Sequence, residues 1–318
     1  MRLRTRVLGA AAAATAAVVA LACPATASAP PAARPGPGPV SAGCGGTADA
    51  PPAGRTTAET LTVDGVRRDY LIHVPASYRP GRALPLVLSF HGHGRTAAYQ
   101  ERLTGMSELD ALVVYPQGVT GTDGESAWQG APYSADVDDI AFTRALIDRT
   151  EQRLCVSTPQ VFASGKSNGG GFSALVGCRL ADRVAATAEV SGAFYPQGGA
   201  CEPARPVPVI DFHGQADTTI PYGGNSAKGL PALPDWLAGW AGRDGCAATP
   251  RTTQVEPNVV RQRWAPCAGG AVVEHYRIAD GGHVWPATVP NEDSATPTTI
   301  DATPIIWSFF LAHPLRTA

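Results

Sequence analysis

Three short stretches carry residue types that together can attack a carbonyl carbon. The first is Gly165-Lys166-Ser167-Asn168-Gly169, a G-x-S-x-G pattern. Its small residues let the backbone fold back tightly on either side of a serine, lifting the hydroxyl out of a sheet. A serine hydroxyl is a weak nucleophile near neutral pH, so it needs a histidine base oriented by a carboxylate. When the serine sits on such a turn, the chain order of the three groups is serine, acid, histidine. Of seven histidines, three lie well downstream of Ser167 and of a good acid: His275, His283 and His313. His275 falls inside an alternating strand and His313 closes the last helix. His283 stands in Asp280-Gly-Gly-His-Val-Trp285, a glycine-rich loop after a strand, where catalytic groups are commonly presented.

The acid is read as Asp217, just past the strand Val207 to Phe212 and ahead of Ile220-Pro-Tyr222. Loops beyond strand ends form the ligand crevice of α/β sheets. Asp211, inside that strand, is the competitor, and Asp280 a third choice. Developing negative charge on an attacked carbonyl needs preorganised donors. One is the backbone N–H of Asn168. The other is expected from the turn His91-Gly92-His93-Gly94 and is assigned to His93, with Gly94 the near alternative. Trp128, Trp285 and Tyr222 are candidate substrate contacts, since aromatic rings near such a site can pack on an aromatic acyl group or a sugar. The His91/His93 pair lacks a third ligand and no cysteine shows a CxxC spacing, so no metal is expected. No cofactor is expected either.

The elements around these stretches must place them at strand ends. Glu59 to Val74 alternates and is split by Asp64-Gly65, a hairpin signal. Leu84 to Phe90 and Asp110 to Tyr115 are apolar runs. Asp138 to Arg153 spaces apolar residues on one helical face, with Asp138 and Asp139 read as capping its start. Val161 to Ala163 is read as a short strand leading into the serine turn, followed by a helix to about Leu180. Val184 to Val190, Val207 to Phe212 and Ala271 to Ile278 are further strands; Pro234 to Gly242 and Asp301 to Ala312 are helices. Continuous apolar strands alternating with helices predict the α/β class, a mainly parallel sheet with helices on both faces.

Composition narrows the role. The 318 residues are 44% hydrophobic and 16% charged, which excludes a disordered chain. A formal charge of −2 gives no footprint for nucleic acid. Residues 1–29 have the form of a secretory signal peptide, with arginines at 2, 4 and 6, an uncharged run Val7 to Ala22, and Ala25-Thr-Ala-Ser-Ala29 as the cleavage site. The run is too short for a membrane span. A lipid anchor on Cys23 is the alternative. Removing the leader takes the charge from −2 to −5 and the cysteines from seven to six: Cys44, Cys155, Cys178, Cys201, Cys246 and Cys267. An exported chain with six cysteines is expected to form three disulfides, and spacing alone leaves the pairing open. Residues 30–40 read as a proline-rich linker and 41–318 as one domain. Oligomeric state is left open.

Gly165-Lys-Ser-Asn-Gly-Gly170, His213-Gly-Gln-Ala-Asp-Thr-Thr-Ile-Pro-Tyr222, Gly281-Gly-His-Val-Trp-Pro286 and the upstream Asp136-Val-Asp-Asp-Ile-Ala-Phe142 together resemble secreted polyhydroxybutyrate-depolymerase-like and feruloyl esterases of carbohydrate esterase family one, on the α/β-hydrolase fold. The resemblance covers roughly residue 43 to the C-terminus. It implies Ser167, Asp217 and His283 as a catalytic triad, and disulfides Cys44–Cys155, Cys178–Cys201 and Cys246–Cys267. It also implies a serine esterase whose lead substrates are feruloyl esters of plant cell-wall xylan. Acetylxylan and short-chain polyesters are the runners-up, and a non-catalytic secreted binding protein on the same scaffold is the contrasting class. Lys166 and His93 depart from the family, where a hydrophobic and a smaller residue are usual.

Overall fold

The computed structural model describes residues 39–316. The expected leader 1–29, Cys23 and residues 30–38 of the expected linker lie outside the described residues. Pro39 and Val40 already belong to the folded unit. Val40 bridges Ser157, and the Pro39 carbonyl accepts the Thr158 N–H at 3.1 Å.

The strands in chain order are β1 (Arg55–Val63), β2 (Val66–Val74), β3 (Leu84–Phe90), β4 (Leu112–Pro116), β5 (Val119–Thr120), β6 (Ser126–Ala127), β7 (Val156–Lys166), β8 (Ala186–Val190), β9 (Val209–Gly214), β10 (Arg251–Glu256), β11 (Val259–Trp264) and β12 (Val273–Ile278). The α-helices are α1 (Ala97–Thr104), α2 (Asp139–Arg153), α3 (Asn168–Arg179), α4 (Leu233–Arg243) and α5 (Ala302–Ala312). Ten strands form one sheet in the order β1-β2-β4-β3-β7-β8-β9-β12-β11-β10, while β5 and β6 make a separate small hairpin. The central run from β4 to β12 is parallel; the outer strands pair antiparallel. This is the expected α/β-hydrolase architecture.

Alternation along the buried strands splits the core into two layers. Leu86, Leu88 and Phe90 of β3 pack with Phe142 and Leu146 of α2 and Phe172 and Val176 of α3. Val87 of the same strand joins Val113, Phe162, Leu103 of α1 and Ile306 and Phe310 of α5 on the opposite face. Every residue of β3 is buried, as strands covered on both faces require. The β1–β2 and β10–β11 hairpins form the two edges of the sheet. Among the described residues no helix is long and apolar enough to cross a membrane.

Most elements lie where the sequence pattern puts them. Asp64 and Gly65 both take positive φ and close the β1–β2 hairpin. Asp138 caps α2 by accepting the Ala141 N–H at 2.9 Å. Asp139 does more than cap: it is buried, pairs with Arg68 at 2.6 Å and accepts the Gln129 N–H at 2.7 Å. The expected short strand at Val161 begins earlier, at Val156, and runs to Lys166: Val156 pairs with Leu84 and Ser157 bridges Val40, ahead of a register shift to the paired run from Val161. Helix α1 and the β10–β11 hairpin were not expected. Neither has a strong apolar repeat, and α1 is delimited by its Thr96 cap and the left-handed Gly105.

Three disulfides join Cys44–Cys155, Cys178–Cys201 and Cys246–Cys267, the pairing implied by the resemblance. The first spans 111 residues and the others 23 and 21. Cross-linking restricts the unfolded chain more when the loop is longer. Replacing Cys44 and Cys155 together by alanine is expected to lower the unfolding free energy by about 2–5 kcal/mol. Urea unfolding of the three double variants should show the largest loss for this pair.

Candidate active site

Strand β7 ends at Lys166 and α3 begins at Asn168, so Ser167 alone makes the reversal. It does so at φ 56° and ψ −122°, a left-handed conformation that a non-glycine residue adopts at a cost of order 1–3 kcal/mol. The flanking glycines are required by contact. A Cβ on Gly165 would lie 2.1 Å from the Gly169 carbonyl oxygen, and one on Gly169 would lie 2.3 Å from that of Phe90. The Ser167 N–H donates to Val190 at the end of β8, and its carbonyl accepts from Gly171 and Ala193. The turn is thus fixed from strand and helix at once.

Asp217 and His283 meet at the same end of the sheet. His283 Nδ1 lies 2.7 Å from Asp217 Oδ2, so in the neutral ring Nδ1 carries the proton and Nε2 is the free base. Asp217 Oδ1 accepts the N–H groups of Thr219 and Ile220, each at 2.8 Å. His213 Nε2 stands 3.4 Å from Asp217 Oδ2. Burial opposes the charge on Asp217, but the hydrogen bonds from His213, His283 and Ile220 outweigh it and hold the carboxyl well below the usual range. The His283 imidazole is moved the other way from an ordinary ion-paired histidine: burial, with the nearby Lys166 cation, lowers its pKa despite the Asp217 hydrogen bond. Ser191 Oγ reaches the carbonyl of Val284 at 3.3 Å, so the end of β8 braces both the serine turn and the histidine loop. Neither Ser167 Oγ nor His283 Nε2 bonds another described residue; contacts of this type commonly close only around bound substrate.

The competing acids are placed elsewhere. Asp211 is fully buried in β9, where His275 Nδ1 meets its Oδ2 at 2.7 Å and His275 Nε2 meets the Tyr222 hydroxyl at 3.0 Å. Asp280 accepts from Asn258 at 2.6 Å. His313 bonds the Phe309 carbonyl at its own helix end.

The two N–H groups expected to receive an oxyanion have no partner among the described residues: those of His93 and Asn168 appear in no protein hydrogen bond. Gly94 does, donating to Ser126 at 2.8 Å, which removes it as the alternative. A Cβ on Gly92 would lie 3.3 Å from Ser167 Cβ, so the early turn passes directly beside that serine. The His93 ring turns aside to Asp123 at 2.8 Å. His91 is buried with Nε2 accepting the Gly118 N–H, and burial brings its pKa down to about 4. It braces the turn.

Two of the three expected substrate contacts, Trp128 and Trp285, require correction. Trp128 is completely buried, stacked on Phe172 and edge-on to Phe90, with its indole N–H on the His91 carbonyl at 2.8 Å. Asn168 clamps its backbone from both sides, accepting the Trp128 N–H at 2.8 Å and donating to its carbonyl at 3.3 Å. Trp285 is 2% exposed, with its indole N–H on Thr303. Both are core rings, as large aromatics with a satisfied N–H usually are. Tyr222 is half-buried, and its hydroxyl serves His275.

The open apolar surface lies along α3 instead. A cavity of about 500 Å3 runs from Asn168 and Ala193 past Leu175 to Phe194, Tyr195 and Trp236. Phe194 and Trp236 stack at 3.6 Å between ring centroids. Phe194 and Tyr195 stand just past the end of β8, the same strand-end rule that located Asp217, and would have been found by applying it there.

No protein-family model matches the chain. Feruloyl esterase B of Piromyces equi is 31% identical over 230 residues, covering 68% of this chain and 42% of that protein. The bifunctional acetylxylan esterase/xylanase XynS20E of Neocallimastix patriciarum is 28% identical over 230 residues, covering 69% and 31%. The chain thus spans less than half the length of these relatives. Among solved structures, an acetyl xylan esterase from Aspergillus awamori superposes with a TM-score of 0.57 over 80% of this chain and 98% of that one. At 14% identity that likeness speaks for the fold.

Trp128→Ala is expected to cost about 3–5 kcal/mol of unfolding free energy, the usual loss for a buried large aromatic. Chemical denaturation checks this; a ring that served only as a substrate platform would leave the midpoint unchanged.

Proposed function

We propose that this chain, which belongs to the feruloyl esterase family on the α/β-hydrolase fold, is a serine esterase that cleaves carboxylic esters through an acyl-enzyme. The observation that carries the reading is the 2.7 Å Asp217–His283 pair facing the same strand ends as the left-handed Ser167. His283 Nε2 takes the Ser167 proton as Oγ attacks the ester carbonyl. The tetrahedral oxyanion is received by the N–H groups of His93 and Asn168. The imidazolium, stabilised by Asp217, gives its proton to the leaving alkoxide. Water, deprotonated by the same nitrogen, then releases the acid and restores the serine. No step calls for a cofactor.

Hydroxycinnamoyl esters of plant cell-wall xylan are the preferred substrates in this reading. The cavity beside Asn168 is apolar and lined by Phe194, Tyr195 and Trp236, which suits a planar aromatic acid; an acetyl group would leave most of its 500 Å3 unfilled. Acetylxylan and hydroxybutyrate oligomers remain the comparison substrates. A polysaccharide-linked substrate and three disulfides agree with export, in which case the protein is released after loss of residues 1–29 or held by lipid on Cys23.

Ser167→Ala is expected to lower kcat/KM on methyl ferulate by at least about 10^3-fold, while the protein stays folded. Trp236→Ala should raise KM for methyl ferulate more than for an acetyl ester. Absence of release from feruloyl, acetyl and hydroxybutyrate esters alike would overturn the reading. The base must be neutral to act, and its pKa is lowered; kcat/KM should therefore rise with pH along a limb centred below about 6.5, the ordinary imidazole value. A pH–rate profile on one soluble ester measures it.

A further inference from the structure

The residue before the nucleophile is a lysine, and it points away from water. The Lys166 side chain is 9% exposed, and its Nζ lies 2.8 Å from Asp293 Oδ2, itself on a side chain 3% exposed. Asp293 belongs to the long connection between β12 and α5, the segment that carries His283. The same carboxylate gathers that connection around itself. Its Oδ2 accepts the Trp285 N–H at 2.8 Å, and its Oδ1 accepts the Tyr99 hydroxyl of α1 at 2.6 Å. Asn291 completes the loop, donating to the Trp285 carbonyl at 2.8 Å and accepting the Asp293 N–H at 3.0 Å. A continuous path therefore runs from the Ser167 turn through Lys166 and Asp293 to Trp285, two residues beyond His283.

A buried ion pair is a poor way to gain stability. Desolvating both charges offsets most of their attraction, and an apolar pair of the same volume often does as well or better. What a buried pair supplies is a fixed register between the segments that bear it, and a charge at a set place. Both are relevant here, because His283 reaches the site on a loop with little secondary structure.

We propose that Lys166 is a positioning residue of this site: through Asp293 it holds the His283 loop in register with the serine turn. This rests on the esterase reading above. The lysine's charge has a second consequence. The titratable groups acting on His283 are Asp217 from the loop after β9, His213 from β9 and Lys166 from β7. Asp217 favours the imidazolium; Lys166 and His213 oppose it, on top of burial. Lys166 is in turn faced by Asp293, by Arg95 and by Asp217. Its removal takes away a cation and should raise the pKa of His283, moving the acid limb of kcat/KM to higher pH.

The test compares Lys166→Met, Lys166→Arg and the double variant Lys166→Met/Asp293→Asn with wild type, on methyl ferulate and with thermal unfolding recorded for each. Loss of the lysine is expected to lower kcat by about tenfold with KM within about twofold, and to move the acid limb upward by about half to one pH unit. Lys166→Arg should keep the limb near its wild-type position. The double variant leaves no uncompensated buried carboxylate, so it carries the test if Lys166→Met does not fold. A folded variant lacking Lys166 with wild-type kcat and an unmoved acid limb would overturn the proposal. NMR titration of the His283 ring in Ser167→Ala, with and without Lys166, reads the charge effect in the absence of turnover. Wild-type inactivity on every ester would instead sink the esterase reading, whatever the ring titration shows.

Discussion

The left-handed backbone of Ser167 is the constraint on which the site is built. A side chain at φ 56° is unfavourable in isolation and persists only where surrounding structure over-determines it. Here β7 lies near the middle of a ten-stranded sheet, and α3 folds back on it so closely that carbonyl oxygens occupy the space where Cβ atoms of Gly165 and Gly169 would sit. That closeness has three results. It exposes the Ser167 hydroxyl at the strand ends and directs the first N–H of α3 at the space above it. It also leaves Lys166, the last residue of a buried strand, no route to solvent. The proposed nucleophile, one of the proposed oxyanion donors and the buried cation follow from one turn.

The second lesson concerns the choice among acids. Among the described residues two aspartate–histidine pairs close at 2.7 Å, Asp217–His283 in the loops past the strand ends and Asp211–His275 within the sheet. Distance does not separate them. Depth and the far side of each ring do. His275 pairs with Asp211 across adjacent strands, and its remaining nitrogen is consumed by Tyr222. His283 leaves its Nε2 free at the mouth of the sheet. Beside Asp211, on the next strand, Glu189 is entirely buried, and burial with the neighbouring carboxylate raises its pKa far above normal. The interior pair thus shares its layer with a buried carboxyl whose charged form is disfavoured, while the peripheral pair carries an imidazole with an open nitrogen.

How much of this was legible in the sequence follows from which signals are local. The G-x-S-x-G turn, the Asp64-Gly65 hairpin and the Asp138 cap depend on residues a few places apart, and they lie where the pattern puts them. Strand ends were legible too, which is why Asp217, His283 and the His91 to Gly94 turn come together. The aromatic assignments failed for a physical reason. A tryptophan two residues from His283, or one in a glycine-rich loop, is as compatible with the core as with the cleft, and only the partner of its indole N–H decides. For Trp128 that partner is the His91 carbonyl, for Trp285 the Thr303 hydroxyl. Helix α1 and the β10–β11 hairpin were missed because polar, arginine-bearing segments carry little periodic signal, although tertiary pairing still orders them.

The electrostatics of His283 follow from the same geometry. An imidazole paired with a carboxylate ordinarily gains basicity, and a base that is too basic is already protonated at the pH where it must act. Two features offset that gain here: burial of the ring, and a lysine forced inward by its place beside the nucleophile. Lys166 tolerates the interior because Asp293 neutralises it, and Asp293 is available because the histidine loop folds around that carboxylate. The charge that tempers the proposed base and the contact proposed to place it are therefore one interaction. A hydrophobic residue at position 166 would relieve the cost of burying the cation. It would also leave the loop to be placed by packing alone, and the imidazole to the unopposed pull of Asp217.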